Sequence, residues 1–209
     1  MLSWMTGLGC TGSRYVQLSA VTADGVCTKR GVLVGCHGEK LPVVTLIPEN
    51  WDGNRICLAL STEGKACLAD ENLQKTLADG TALISADLYL TGEFADCVQV
   101  DAVNNANNRY FTTFHDTTDA CRVQDTARLI CYAKTLGKNV IVHASGCGAR
   151  AAACALALCD GVSSAELEKT AISLTSDDTY YNEFMIPGIC ALGGLSACLG
   201  LAKCPISLY

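Results

Sequence analysis

Residues 140–149 read VIVHASGCGA, and this short stretch decides the fold of the chain. The β-branched apolar residues at 140–142 predict a buried strand, and the glycines that follow predict a tight turn. The alanine-rich segment 149–159 then predicts a helix. A strand that turns directly into a helix is typical of a parallel α/β sheet.

The same alternation of strands and helices continues on both sides of this stretch. Helices are predicted over 70–78 and 119–136, because both show three-to-four apolar spacing and end at a glycine. Strands are predicted over 15–21 (an edge strand or hairpin arm), 41–48, 55–60, 81–88, 170–174 and 206–209. Segment 91–116 is polar and is expected to form a long surface excursion. The whole chain, 1–209, is therefore predicted to be a single α/β domain with a mostly parallel sheet and helices on both faces.

Composition excludes several classes of partner. The chain has 209 residues, of which 50% are hydrophobic, and a formal net charge of −6. That hydrophobic content rules out intrinsic disorder, and the negative charge argues against binding to nucleic acid or to anionic membranes. Segment 184–202 carries no charge over nineteen residues, but Pro187 and Gly193 interrupt it, so we expect a buried turn and helix there rather than a membrane span.

The chain holds 14 cysteines, which we interpret as reduced, mostly buried thiols. The N-terminal residues lack the features of a signal peptide, so a cytoplasmic location is expected. No CxxC pair occurs. We therefore predict neither a metal site nor a cofactor.

The turn after the strand at 140–142 is where chemistry is expected. A nucleophile elbow needs a strained apex flanked, two positions away on each side, by small residues. Ser145 fits with Cys147 behind it, although His143 stands at the other flanking position. Cys147 fits as an alternative apex between Ser145 and Ala149. A plain strand-to-helix turn, with glycines used only for packing, remains a third interpretation.

Several stretches in the same order along the chain resemble the α/β-hydrolase superfamily, in particular bacterial acetyl xylan esterases and glucuronoyl esterase-like carbohydrate esterases. The segment 87–93, DLYLTGE, is similar to a D-x-R-G-x-G-E segment of that family, with Leu90 in place of a glycine. The other matching stretches are PENW (48–51), EGKA (63–66), RVQD (122–125), YYNEF (180–184), IPGI (186–189) and AKCPI (202–206). The resemblance ends near the seventh family strand, so the last strand and helix of the fold are expected to be missing.

The resemblance implies hydrolysis of a small-molecule or carbohydrate ester through a covalent intermediate. It implies Ser145 as the nucleophile. Asp177 and Asp178, which follow the predicted strand 170–174, either supply the acid of such a site or form a solvated turn. The amides of Glu63, Gly64 and Gly146 are the implied oxyanion donors.

The position of the histidines makes catalysis doubtful. Such enzymes place nucleophile, acid and histidine in that order along the chain. All three histidines, His37, His115 and His143, precede Ser145. We expect His143 to point into helix packing.

Three hypotheses follow from this order. The first is an esterase whose base is His115 or comes from another chain. The second is an inactive hydrolase-like domain for binding or assembly, which self-associates through an exposed sheet edge. The third is a thiol hydrolase of the dienelactone type, with Cys147 as nucleophile.

Overall fold

One eight-stranded sheet organises the protein. The computed structural model describes residues 12–95 and 116–209. The strands are β1 (Ser13–Ala23), β2 (Val26–Gly35), β3 (Lys40–Pro48), β4 (Arg55–Leu60), β5 (Ala82–Ala86), β6 (Asn139–Ala144), β7 (Ser164–Leu167) and β8 (Ile206–Leu208). Their order is β1-β2-β3-β5-β4-β6-β7-β8. The pairs β1–β2, β2–β3 and β3–β5 are antiparallel and the other four are parallel, which confirms a mostly parallel sheet.

Helices connect the strands of the parallel half. They are α1 (Glu71–Ala78), α2 (Thr118–Leu136), α3 (Gly146–Leu158), α4 (Lys169–Ile172), α5 (Asp177–Glu183) and α6 (Gly194–Leu201). Short 3-10 turns occupy Gly64–Ala69, Gly92–Phe94 and Cys190–Leu192. The side chain of Asp70 caps α1 and that of Thr117 caps α2, each by accepting from backbone amides of the first turn.

The central strand β4 shows how helices come to cover both faces of the sheet. Ile56, Leu58 and Leu60 belong to the main core, which includes buried residues of α2 and α3. Cys57 and Ala59 alternate with them and belong to a smaller core under α1. A strand buried on both faces is apolar at every position, because alternate side chains reach opposite layers.

Two predicted segments differ from the structure. The sequence predicts a strand over 170–174, but its first three residues lie in the short helix α4. The strand is instead β7, just before it, where Ala165 and Leu167 are buried and Glu166 between them is exposed. Four residues carry too little alternation to be recognised. The predicted helix 149–159 begins earlier, at Gly146, because the turn is shorter than expected.

The uncharged segment 184–202 is broken in the way its glycines suggest. Gly193, with a φ of +95°, separates the 3-10 turn at Cys190–Leu192 from α6. Within 12–95 and 116–209, no helix combines the length and apolar character needed to cross a bilayer. The twelve cysteines of these ranges form no disulfide; four are buried, six are partly buried, and Cys36 and Cys190 are exposed, so fewer are fully buried than expected.

Candidate active site

The bend between β6 and α3 lies at Gly146. Ser145 has extended backbone angles (φ −130°, ψ 162°) and its amide donates to Leu60 O over 2.9 Å, which continues the pairing with β4. The left-handed φ falls on the next residue, Gly146, at +53°. The apex is therefore Gly146. It lies between Ser145 and Cys147, the two apex positions that the sequence suggested.

Close packing explains why glycines occupy this bend. A Cβ at position 148 would lie 2.7 Å from the carbonyl carbon of Leu60, so only glycine allows the helix to approach β4 this closely. A Cβ at position 146 would overlap Thr62 Oγ1. Small residues at 144 and 148 flank Gly146 at the spacing of an elbow. The sequence contains this spacing, but the residue at its apex, Gly146, carries no side chain.

Side-chain oxygens of the same chain accept hydrogen bonds from the two backbone amides at the start of α3. Gly146 N donates to Glu168 Oε2 over 2.7 Å, and Cys147 N donates to Thr62 Oγ1 over 3.1 Å. In an elbow enzyme the amide after the apex is one of the two oxyanion donors. Here that amide belongs to Cys147, and a threonine hydroxyl already accepts from it.

In the turn after β4, the backbone amides also donate hydrogen bonds within the chain. Glu63 N donates to Ser61 Oγ over 2.9 Å, and Gly64 N donates to Ser61 O over 3.2 Å. Asp87, buried at the end of β5, fixes this turn by accepting from Lys65 N over 2.9 Å and by an ion pair with the Lys65 ammonium group. All three predicted oxyanion residues, Glu63, Gly64 and Gly146, thus have amides bonded within the chain.

A carboxylate also lies against the bend. Glu168 accepts from the hydroxyl of Thr170 and from Gly146 N, and these two hydrogen bonds lower the pKa of its carboxyl group. The group is therefore ionised at neutral pH. A negative charge at this place opposes the development of an oxyanion on a bound ester.

A cavity of about 660 Å³ brings Ser145 together with His143, Glu63, Glu166 and Tyr209. His143 lies on β6, and Ser145 continues the extended backbone two residues further on, so the two side chains face the same side of the sheet. In the described ranges, Ser145 Oγ makes no hydrogen bond with this histidine or with any other group.

His143 is engaged elsewhere and is not packed under a helix. Its Nδ1 lies 3.3 Å from Glu166 Oε2 and its Nε2 lies 3.3 Å from Tyr209 Oη. Its ring stacks on that of Tyr209 with centroids 5.1 Å apart. The expectation that His143 points into helix packing is wrong, because α1 covers the neighbouring strands β3–β5 and leaves this part of the face open.

Of the remaining predicted residues, those that the structure describes do not line the cavity with Ser145. Asp177 and Asp178 are exposed in the first turn of α5, and neither lines the cavity. Cys147 is buried in the first turn of α3. His115 lies outside the described residues. Among those that are described, no group of three or more histidine, cysteine or carboxylate side chains is arranged to hold a metal ion.

Several solved structures with a similar architecture are described as esterases. The chain superposes over its full length on a protein from Bacteroides fragilis assigned as an acetyl xylan esterase, with a TM-score of 0.76 and 12% identity, and covers 65% of that chain. Over 93% of its length it matches a glucuronoyl esterase from Solibacter usitatus (TM-score 0.62, 11% identity, 67% of that chain). Over 91% it matches a cold-adapted esterase from an Arctic intertidal metagenomic library (TM-score 0.58, 16% identity, 74% of that chain).

No protein-family model and no curated protein sequence matches the chain. The strand order and the structural neighbours show an α/β-hydrolase-like fold, as the resemblance implied. The domain spans about two thirds of the length of the esterases it resembles.

Proposed function

We propose that this chain is an α/β-hydrolase-like domain that does not hydrolyse esters at the bend and acts in binding or assembly. The observation that carries the proposal is that side chains of the same chain already accept hydrogen bonds from both backbone amides at the bend. Gly146 N donates to the Glu168 carboxylate and Cys147 N to the Thr62 hydroxyl. An incoming acyl oxygen would find both of these backbone amides occupied and would meet a negative charge instead.

The reacting groups support the same conclusion. A serine hydroxyl is a weak nucleophile unless a base accepts its proton. His143, which shares a cavity with Ser145, has Glu166 near one ring nitrogen and Tyr209 near the other. Gly146, at the apex, has no nucleophile to offer.

A small-molecule or carbohydrate ester remains the proposed ligand of this site, held without turnover. Titration with acetylated xylo-oligosaccharides, and with the deacetylated sugars as a control, tests that part of the proposal by calorimetry. If the binding heat saturates for both the acetylated and the deacetylated sugars, or for neither of them, the acetyl group is not recognised.

Ester hydrolysis is tested directly with 4-nitrophenyl acetate and acetylated xylan. We expect the same background rate for the wild type, Ser145→Ala and Cys147→Ala. A wild-type rate that falls about tenfold or more in Ser145→Ala would establish a serine esterase and overturn the proposal. A similar loss confined to Cys147→Ala would establish the thiol mechanism.

A further inference from the structure

A second cavity, of about 470 Å³, lies on the far side of β5 from the bend. Its apolar wall comes from the start of β3 and from the chain that follows β5, and consists of Leu41, Pro42, Leu88, Tyr89, Leu90 and Phe94. Helix α2 closes it with Cys121, Gln124, Asp125 and Arg128. None of these residues lines the cavity that contains Ser145. Its volume lies within the range typical of small-molecule sites.

The buried charges of this cavity are already paired. The Arg128 side chain is only 6% exposed and bonds Asp125 Oδ1 at 3.1 Å and Glu39 Oε1 at 2.6 Å. Asp125 Oδ2 also accepts from Tyr89 N over 2.9 Å. Asp87, at the same end, is neutralised by Lys65. A charged group that entered the buried part of the cavity would therefore lose its hydration without gaining an unpaired charge there, because Lys40, which also lines the cavity, is exposed at the start of β3.

The mouth of the cavity exposes two aromatic side chains. Tyr89 is 46% exposed and Phe94 is 40% exposed. Large apolar side chains that line a concavity and remain open to water are typical of ligand-binding sites.

The wall between these aromatic residues is held in a strained conformation. Leu90 has a φ of +55°, which is rare for a residue with a branched side chain. Arg122 fixes it by donating to Tyr89 O over 2.9 Å and to Leu90 O over 3.3 Å. Backbone strain persists only where surrounding contacts enforce it, and it concentrates at functional sites. The cavity wall is therefore formed before any ligand arrives.

We propose that this cavity binds a neutral, largely apolar small molecule. Apolar walls supply the binding free energy, and the pairing of the buried charges selects against charged compounds. The buried Arg128 Nε, which has no hydrogen-bond partner, remains as a donor to the ligand. Tyr89 and Phe94 contact the outer part of the ligand. The site is separate from the bend, so the proposal holds whether or not the domain hydrolyses esters.

Two fluorescent probes with one skeleton test the proposal. N-phenyl-1-naphthylamine is neutral, and 1-anilinonaphthalene-8-sulfonate adds a negative charge to the same rings. We expect saturable binding of the neutral probe at one site, and binding of the sulfonate that is weaker by about tenfold or more. Equal affinity for the two probes, or no saturable binding of the neutral one, would overturn the proposal.

Matched variants locate the binding site. Tyr89→Ala removes an exposed ring at the mouth and should weaken binding of the neutral probe about fivefold or more, whereas Tyr181→Ala, at a similarly exposed tyrosine on α5, should not. Cys121→Phe fills the cavity and should abolish binding, while Cys131→Phe changes the same residue type elsewhere on α2. Unchanged binding in Tyr89→Ala would place the probe elsewhere, even if Cys121→Phe failed to fold.

Discussion

The carboxylate of Glu168 accepts a hydrogen bond of 2.7 Å from the backbone amide of Gly146, the residue at which β6 bends into α3. Gly146 is the first residue of α3, so this carboxylate also lies at the positive end of a helix. The contact joins the end of β7 to the end of β6. It places a negative charge where an esterase needs donors.

Glu168→Ala should destabilise the protein by about 1 kcal/mol at pH 7, because a hydrogen bond between a charged acceptor and the Gly146 amide is lost at a partly exposed site. The folded-state pKa of Glu168 is lowered, so its stabilisation is present above the ordinary carboxyl pKa and is lost as the pH falls. Urea unfolding of the two proteins should therefore converge towards pH 3. Glu166→Ala, whose exposed carboxylate only meets His143, serves as the control. A pH-independent difference for Glu168→Ala would contradict the assignment.

Gly146→Ala should be more destabilising than Gly38→Ala. Both glycines have positive φ, but a Cβ at Gly38 meets nothing within 4 Å, whereas one at Gly146 overlaps Thr62 Oγ1. We expect a loss of about 1 kcal/mol at Gly38 from backbone strain alone, and at least about 1 kcal/mol more at Gly146.

A double-mutant cycle with Thr62→Ala isolates the overlap at Gly146. In the Thr62→Ala background the additional loss should disappear, since the overlapping hydroxyl is gone. Additive losses in the cycle would show that Thr62 does not restrict position 146. Thermal or urea unfolding measures all four proteins.

Stability should depend on pH through Asp125. Burial raises the pKa of this carboxyl group to about 6, against the opposing effect of Arg128. A raised folded-state pKa means that the folded protein holds the proton more tightly than the unfolded chain. The stabilisation is therefore full below the ordinary carboxyl pKa of 3.8 and is lost as the pH rises from there through 6.

Asp125→Asn removes this titration and keeps the shape of the side chain. The stability of the wild type relative to Asp125→Asn should fall by an amount on the order of 3 kcal/mol between pH 4 and pH 7. Urea unfolding at several pH values measures it. A difference that stays constant over this range would mean that Asp125 titrates at its ordinary pKa.

Self-association is expected through the edge strand β8. Leu208 is exposed on this strand, and no described strand pairs with its outer side. The opposite edge, β1, is interrupted by a register shift between Gln17 and Ser19, a feature that discourages edge pairing. Light scattering after size exclusion should show a dimer that Leu208→Lys converts to a monomer and that Leu18→Lys, on β1, leaves intact. A wild-type monomer at high concentration would contradict this prediction.

Much of the sheet could be predicted from local sequence patterns. The run of apolar residues at 55–60 predicted β4 with its observed bounds, and Asp70 with the glycine at 80 marked α1. These features depend on neighbouring residues along the chain, which is why the sequence reveals them. β2 and β7 were both missed. β7 has only four residues, and the places of the two strands are set by pairing with their neighbours in the sheet.

The sequence by itself determined an α/β-hydrolase-like order of elements and a chain in which every histidine precedes Ser145. Only the tertiary structure decided that the bend falls on Gly146, that Thr62 and Glu168 occupy its amides, and that His143 turns to Tyr209. The physical reason is distance along the chain. Helix and strand periodicity is local, whereas these hydrogen-bond partners lie on different strands and loops, and packing of the whole sheet brings them together.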